Sequence, residues 1–263
     1  LYNEGTTTSS SNAGLTLTFT DGSVLDLVSA GNASDSHDVA IPASAGEEGI
    51  TIAAPNGAPG GIDFASGGDA VGFEWHSSAD AFGVEGMSFG VSSSFNTDAT
   101  AETGTSTAAV ESGYGVGVSY VTAAGDTSVT IGAGLAGSDL INTGVALTND
   151  QGGMHVGISA VTGDLTVAVG IADGNTVADD GTSVALANTQ VDGSVMKAGV
   201  KYVTGDITLN VGLVSGEAQD SDTQGTAGTT DDSWDEMNAS VSYAVASGVS
   251  AVLGYTTVDI NDE

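Results

Sequence analysis

The sequence predicts an all-β protein, an antiparallel up-and-down β-barrel that spans a membrane. Composition is the first observation: Gly contributes 40 of the 263 residues, Pro 3, and charged residues only 14%. Such a chain has few strong helix formers, and its many Val and Thr residues favour strands. The second observation is a hairpin of alternating apolar and polar residues that recurs along the chain. The third is the chemistry of the polar face of these hairpins.

Five hairpins follow one another from about residue 71 onward, which makes ten predicted strands. Four of the turns contain Gly125, Gly163, Gly205 and Gly248, which recur roughly every 40 residues. A glycine at a tight turn between two alternating runs is typical of a β-hairpin. We predict turns near residues 79–84, 123–126, 162–164, 204–206 and 246–248, all at one rim of the barrel.

Long polar segments rich in Asp, Thr, Gly and Ser separate the hairpins, and we expect them as loops at the opposite rim. They cover residues 96–113, 136–152, 172–194 and 215–236. The strands between them would be about eight to ten residues long, which is enough for a tilted strand to cross a bilayer.

The alternation assigns side chains to two faces. The apolar set, predicted to face lipid, is Phe73, Trp75, Phe89, Val118, Ile131, Val156, Val169, Val200, Leu209, Val241 and Leu253. The opposite phase is mostly Gly, Ser, Thr and Ala, which suits the wall of a water-filled lumen because bulky side chains would close it. The predicted pore-lining residues on this phase are Glu74, His76, His155, Lys197, Lys201, Asn210 and Asn238.

A soluble β-sandwich is the structural alternative, since its strands also alternate. Soluble sheets usually carry Lys and Glu on their wet face, whereas this polar face is small and hydroxylic. Tyr120, Tyr202 and Tyr243 precede the tight turns on the apolar phase, and Tyr114 and Tyr255 lie near the other strand ends. Two aromatic bands are typical of the two interfaces of a membrane.

The charge balance excludes several functions. Against 34 acidic residues stand only Lys197 and Lys201, a formal net charge of −32, so a nucleic-acid partner is not expected. The absence of Cys excludes thiolate zinc sites, iron–sulfur clusters and a thiol nucleophile. The three histidines are isolated in sequence, and no nucleophile motif accompanies them. We therefore predict that the protein is not an enzyme and needs no cofactor.

The hairpins Val116–Tyr120 with Val129–Gly134, and the segment Ala198–Asp206, resemble the porins of α-proteobacteria. The resemblance implies an outer-membrane barrel of 16 strands, usually trimeric, whose third external loop folds inward as a constriction. The chain departs from the family in having no Arg for the basic cluster of that constriction, and in ending without a terminal aromatic strand. We expect one domain over residues 1–263, incomplete at both ends.

The segment 29–70 is predicted to be the inward-folded constriction loop. It contains all three prolines and no steady alternation of apolar and polar residues. Prolines disrupt the hydrogen-bond ladder of a sheet, so we do not expect this segment to form consecutive strands.

A cation site is predicted in one acidic loop. Asp220, Asp222 and Asp231 match the spacing of a calcium-loop pattern, although no helices flank them and Asp replaces the usual bidentate Glu. The functional interpretation is that the loop binds calcium loosely. The alternative is an acidic loop that is simply solvated and has no specific ligand.

Two functions from different classes fit these features. The first is an outer-membrane channel, cation-preferring, through which small hydrophilic solutes diffuse; its partners would be lipid, solutes, ions and two further copies of the chain. The second is an acidic surface structural protein, a surface-layer or adhesin repeat stabilised by calcium. The lipid-type face of the hairpins favours the channel.

Overall fold

The computed structural model of the chain describes residues 14–27, 32–42, 70–96, 109–142, 147–177, 190–221 and 227–261. Within these ranges the strands form one antiparallel sheet in which every strand pairs with the next one in sequence. The 12 strands are β1 (Leu15–Thr18), β2 (Val24–Leu27), β3 (Ala70–His76), β4 (Met87–Asn96), β5 (Ala109–Ala124), β6 (Thr127–Asn142), β7 (Leu147–Thr162), β8 (Leu165–Val177), β9 (Gln190–Thr204), β10 (Ile207–Ser221), β11 (Ala227–Ala246) and β12 (Val249–Asn261). The all-β, up-and-down prediction is confirmed.

The five predicted hairpins are present, and their turns lie at one edge of the sheet, the turn rim. Two-residue turns occupy 125–126, 163–164, 205–206 and 247–248. Each turn glycine has a positive φ, for example +57° at Gly163, a conformation that favours glycine. The turn of residues 77–86 is longer and contains a short 3-10 helix, Ala81–Gly83.

Strands β1 and β2 were not predicted. They form a further hairpin that pairs with β3, with Val24 opposite His76 and Leu27 opposite Phe73. Each strand has only four residues, too few for a period-two pattern to stand out from a loop.

The strands are also longer than predicted, so the loop boundaries 96–113, 136–152, 172–194 and 215–236 were wrong. Strand β10 continues to Ser221, and β11 already begins at Ala227. The ends of these strands are polar on both phases, as in the Ala227–Trp234 stretch. Backbone hydrogen bonds hold an antiparallel pair together whatever the side chains are. Each strand can therefore extend beyond the stretch of alternating apolar and polar residues from which it was predicted.

The predicted apolar residues all share one face of the sheet, which we call the apolar face. Most of its large side chains are exposed, with Val169 at 41% and Leu253 at 75%, while Trp75, Phe89 and Val118 are half-buried. Buried apolar residues among the described ones are few: Ala33, Val39, Ala81, Ala136, Ala168 and Trp234. The core expected between the two sheets of a soluble sandwich is therefore absent from the described part of the chain. Its helices also include none that is long and apolar enough to cross a bilayer.

Candidate functional site

Residues 32–42 lie across the opposite, polar face of the sheet, and we call them the crossing segment. The backbone amide of Ala33 donates to Ser92 Oγ on β4 at 2.8 Å, and the Ser34 carbonyl accepts from His155 Nε2 on β7 at 3.0 Å. Farther along, Pro42 reaches Gly199 on β9. The segment therefore runs across six neighbouring strands, inside the stretch that was predicted to fold inward.

A row of glycines beneath the crossing segment explains how closely it approaches the sheet. A Cβ atom on Gly117 would lie 2.5 Å from the carbonyl oxygen of Ala33, and one on Gly157 would lie 2.8 Å from Val39 Cβ. Real Cβ atoms essentially never come so close, so only glycine fits. This glycine stripe consists of Gly90, Gly115, Gly117, Gly132, Gly134, Gly157, Gly170 and Gly199.

The glycine stripe shows that the small residues on the polar face have a different structural role from the predicted one. The sequence suggested that they keep a lumen wide, whereas in the structure the glycines of β4 to β9 let one backbone lie against another. The signal was present in the sequence as a glycine on the polar phase of six consecutive strands. The reason for these glycines could not be inferred from the sequence, because the neighbouring residues do not show which distant segment the glycines contact.

The three histidines, which looked isolated in sequence, meet at the crossing segment. The rings of His37 and His76 lie 5.9 Å apart between centroids. His155 approaches the same segment from β7, with Nδ1 3.5 Å from Asp38 Oδ1. We refer to His37, His76 and His155 as the histidine cluster. The predicted pore-lining residues Glu74, His76 and His155 thus belong to one group.

Hydrogen bonds tie the cluster to the wall. Glu74 Oε1 lies 2.8 Å from His76 Nε2 and accepts from Ser36 Oγ at 3.0 Å, so a β3 carboxylate holds both a wall histidine and the crossing segment. His37 Nδ1 bonds to Ser119 Oγ on β5 at 2.9 Å. Its Nε2 is buried and has no hydrogen-bond partner among the described residues.

Burial sets the electrostatics of the crossing segment. The pKa of His37 lies below its ordinary value, first because burial penalises the imidazolium, and then because His76 and His155 would add like charge; Glu74 opposes the shift. Burial also raises the pKa of Asp35, against the attraction of His155.

The other predicted pore-lining residues form a second group on β9 to β11. Lys197 and Lys201 share the polar face, and Lys201 is opposite Asn210 in register. Asn210 is only 1% exposed and donates from Nδ2 to Ser240 Oγ at 3.3 Å. Asn238 donates to Glu236 Oε1 at 3.0 Å. All seven predicted residues therefore lie on the face that carries the crossing segment.

The predicted calcium ligands are only partly described. Asp220 and Asp231 lie on the paired strands β10 and β11, where Gln219 is opposite Asp231 in register. Asp222 lies outside the described residues. No cluster of three or more His, Asp or Glu side chains in the described ranges is arranged to hold a metal ion. The calcium site stays a prediction.

Comparison with known protein families shows to which family the chain belongs. The family model for the Gram-negative porin matches residues 6–263. The chain belongs to this porin family. It is therefore a bacterial outer-membrane protein. No curated protein sequence matches it.

Solved structures share the fold of this porin at low identity. OpdQ of Pseudomonas aeruginosa is 15% identical over 94% of this chain and 65% of its own, with a TM-score of 0.58. OmpT of Vibrio cholerae, in its trimer form, is 15% identical over 94% and 69%, with a TM-score of 0.51. OpdL of Pseudomonas aeruginosa is 13% identical over 93% and 66%, with a TM-score of 0.52. The porin chain thus spans about two thirds of the length of these neighbours.

Proposed function

We propose that the protein is a water-filled, cation-preferring channel for the passive diffusion of small hydrophilic solutes across the outer membrane. One observation carries the proposal: a polar segment lies across one face of a sheet whose other face is apolar and exposed. Lipid accounts for the apolar face, since large exposed apolar surfaces mark contact with a membrane or partner. A lumen accounts for the polar face.

The crossing segment supplies the constriction in this proposal. Asp35, Ser36 and Asp38 of the crossing segment are exposed, so in this proposal two carboxylates border the opening. Lys197 and Lys201 supply the only positive wall charges. Carboxylates that line a low-dielectric passage raise the local concentration of cations and repel anions.

Three finer assignments belong to the same proposal. The full barrel has 16 strands, four more than the described sheet, as the resemblance to the porins of α-proteobacteria implies. The functional unit is a trimer, a proposal supported by the solved structure of OmpT, which is in trimer form. The hairpin sequence Ala198–Asp206 supports membership of the α-proteobacterial branch. Nothing specific favours the surface-layer alternative, which does not account for the exposed apolar face.

Single-channel recording tests the proposal. The purified full-length protein, added to a planar lipid bilayer, should give stepwise, ohmic conductance increments in potassium chloride. Solute entry into loaded liposomes should fall steeply with solute size. Absence of conductance from protein that is folded in detergent would refute the channel. Chemical cross-linking in detergent should give a species of three chains if the trimer is correct.

A further inference from the structure

The histidine cluster places titratable groups beneath and beside the crossing segment. The segment contributes His37, Asp35 and Asp38, β3 contributes His76 and Glu74, and β7 contributes His155. Strands β4, β5 and β6 contribute only Gly and Ser contacts there among the described residues. Of these groups, only the imidazoles ordinarily change charge between pH 5 and 8.

The three imidazoles are not equivalent, because a carboxylate lies close to His76 and to His155, whereas the nearest polar partner of His37 is a hydroxyl group. His76 has the Glu74 carboxylate at 2.8 Å, and His155 has the Asp38 carboxylate at 3.5 Å. His37 has Ser119 on Nδ1 and no hydrogen-bond partner among the described residues on its buried Nε2. A proton on that nitrogen would be a buried donor without an acceptor, beside the His76 ring, which is costly.

We propose that His37 makes the attachment of the crossing segment pH-sensitive, so that acidification charges its ring and releases the segment from the glycine stripe. The segment's other hydrogen bonds, to Ser92, His155 and Glu74, oppose release, so the cost of a charged His37 ring must outweigh them. Asp38 is largely exposed already. The attachment can be measured without ion flow; only its effect on conduction rests on the proposed channel function.

The direction follows from the pKa shifts of buried His37 and of Asp35, whose carboxyl is partly desolvated. The attached state lowers the pKa of His37 below 6.5, so attachment is strongest above that pH and weakens as the pH falls through 6.5. The attached state raises the pKa of Asp35 above 3.8, so protonation of this carboxyl favours attachment, but only at lower pH. Release should therefore increase as the pH falls below 6.5, and protonation of Asp35 at still lower pH should partly reverse it.

A cysteine on the buried side of the crossing segment reports the release of the segment. The chain has no Cys, so Ala33→Cys and Ala40→Cys each introduce one thiol. Ala33 is fully buried and Ala40 is exposed on the same segment. A water-soluble methanethiosulfonate reagent should modify the buried position slowly at pH 7.5. The ratio of the two rates cancels the common effect of pH on thiol reactivity. It should rise by up to about fivefold between pH 6.5 and 5.5, the limit for one linked proton whose pKa in the released state is 6.5.

His37→Asn keeps a polar side chain near Ser119 but cannot gain charge. In this background the rate ratio should stay constant from pH 7.5 to 5, whereas His155→Asn, as a control, should keep the pH dependence. A flat ratio in the protein with native His37, or an unchanged pH dependence in His37→Asn, would overturn the proposal. Should His37→Asn not fold, the measurement with native His37 decides alone. Conductance recorded at pH 7.5 tests the channel separately, so the two failures are distinguishable.

Discussion

Gly117 shows how a single side chain controls the geometry of the polar face. Its missing Cβ leaves room for the carbonyl oxygen of Ala33 and for the His37 ring. Glycine in a strand interior ordinarily weakens the strand, because the unfolded chain has more freedom to lose. At this position the cost is offset by the contact between two backbones that no other residue permits.

We expect Gly117→Ala to destabilise the protein by about 1–3 kcal/mol, because the new methyl group overpacks a close contact. Gly170→Ala is the matched control: it lies in the same stripe, but its Cβ would stay 3.4 Å from the nearest atom, Ile41 Cδ1. The midpoint of thermal unfolding in detergent compares the two. Equal midpoints would show that the crossing segment does not lie as close to β5 as described.

At the level of strands and hairpins, the fold depends on local features that are visible in the sequence, namely turn glycines and alternating side chains. Gly163 and Asp164 form the turn between β7 and β8, and Thr162 pairs directly with Leu165. Since Gly163 has a φ of +57°, replacing it strains the turn without any clash, because nothing lies within 4 Å of its Cβ position.

Gly163→Ala should therefore cost about 1 kcal/mol, the usual penalty for a Cβ in a left-handed conformation. Asp164→Ala, one residue away at a negative φ, should cost much less. Chemical denaturation of the folded barrel in detergent measures both. A similar loss in the two variants would argue that the turn is held by side-chain contacts instead of backbone geometry.

The apolar face makes a depth-dependent prediction. Val169 lies in the middle of β8 and Leu165 lies next to its turn, and both are about equally exposed, at 41% and 40%. In lipid, Val169→Lys should cost about 2–4 kcal/mol, whereas Leu165→Lys, near the interface, should cost about 0–1 kcal/mol. Unfolding in phospholipid vesicles gives the two values. Two equally small costs would mean that this face contacts water.

The hairpins could be predicted from sequence because each rests on neighbours along the chain. Alternation in Met196–Tyr202 and in Ile207–Leu213, with a glycine at 205, is sufficient to place β9, β10 and their turn. The polar ends of the strands could not be placed, since backbone pairing there leaves no pattern in the side chains. Strands β1 and β2 were missed because four residues are too short a pattern.

For the candidate site, sequence predicted the face but not the assembly. Lys197, Lys201 and the histidines alternate correctly with apolar neighbours, so their phase was readable. That His37, His76 and His155 meet could not be seen, because they are separated by up to 118 positions along the chain. Their meeting depends on the crossing segment, which lies against the sheet through long-range contacts.

At the scale of the whole molecule, charge is the dominant property. The chain has a formal net charge of −32, and such a charge is tolerable when water and cations surround the carboxylates. Most of these groups belong to the polar strand ends and loops. A channel with acidic mouths and an acidic constriction would collect cations from solution at both points, an effect that falls with ionic strength.

Reversal potentials under a potassium chloride gradient test this distribution of charge. The native protein should prefer potassium to chloride, and the preference should shrink as salt screens the mouths. Asp38→Asn removes an exposed carboxylate of the crossing segment and should lower the preference. Asp164→Asn makes the same change of charge at the turn rim, far along β7 and β8 from His155, and should alter the reversal potential less.

The lysines supply the opposite test. Replacing Lys197 and Lys201 together by Gln removes every cationic side chain of the sequence apart from the histidines, and the cation preference should rise if both face the narrow part of the lumen. An unchanged reversal potential in the double variant would place the two lysines away from the constriction. Chloride preference in the native protein would refute the electrostatic argument itself, because two lysines cannot outweigh the carboxylates unless those carboxylates lie outside the path of the ions.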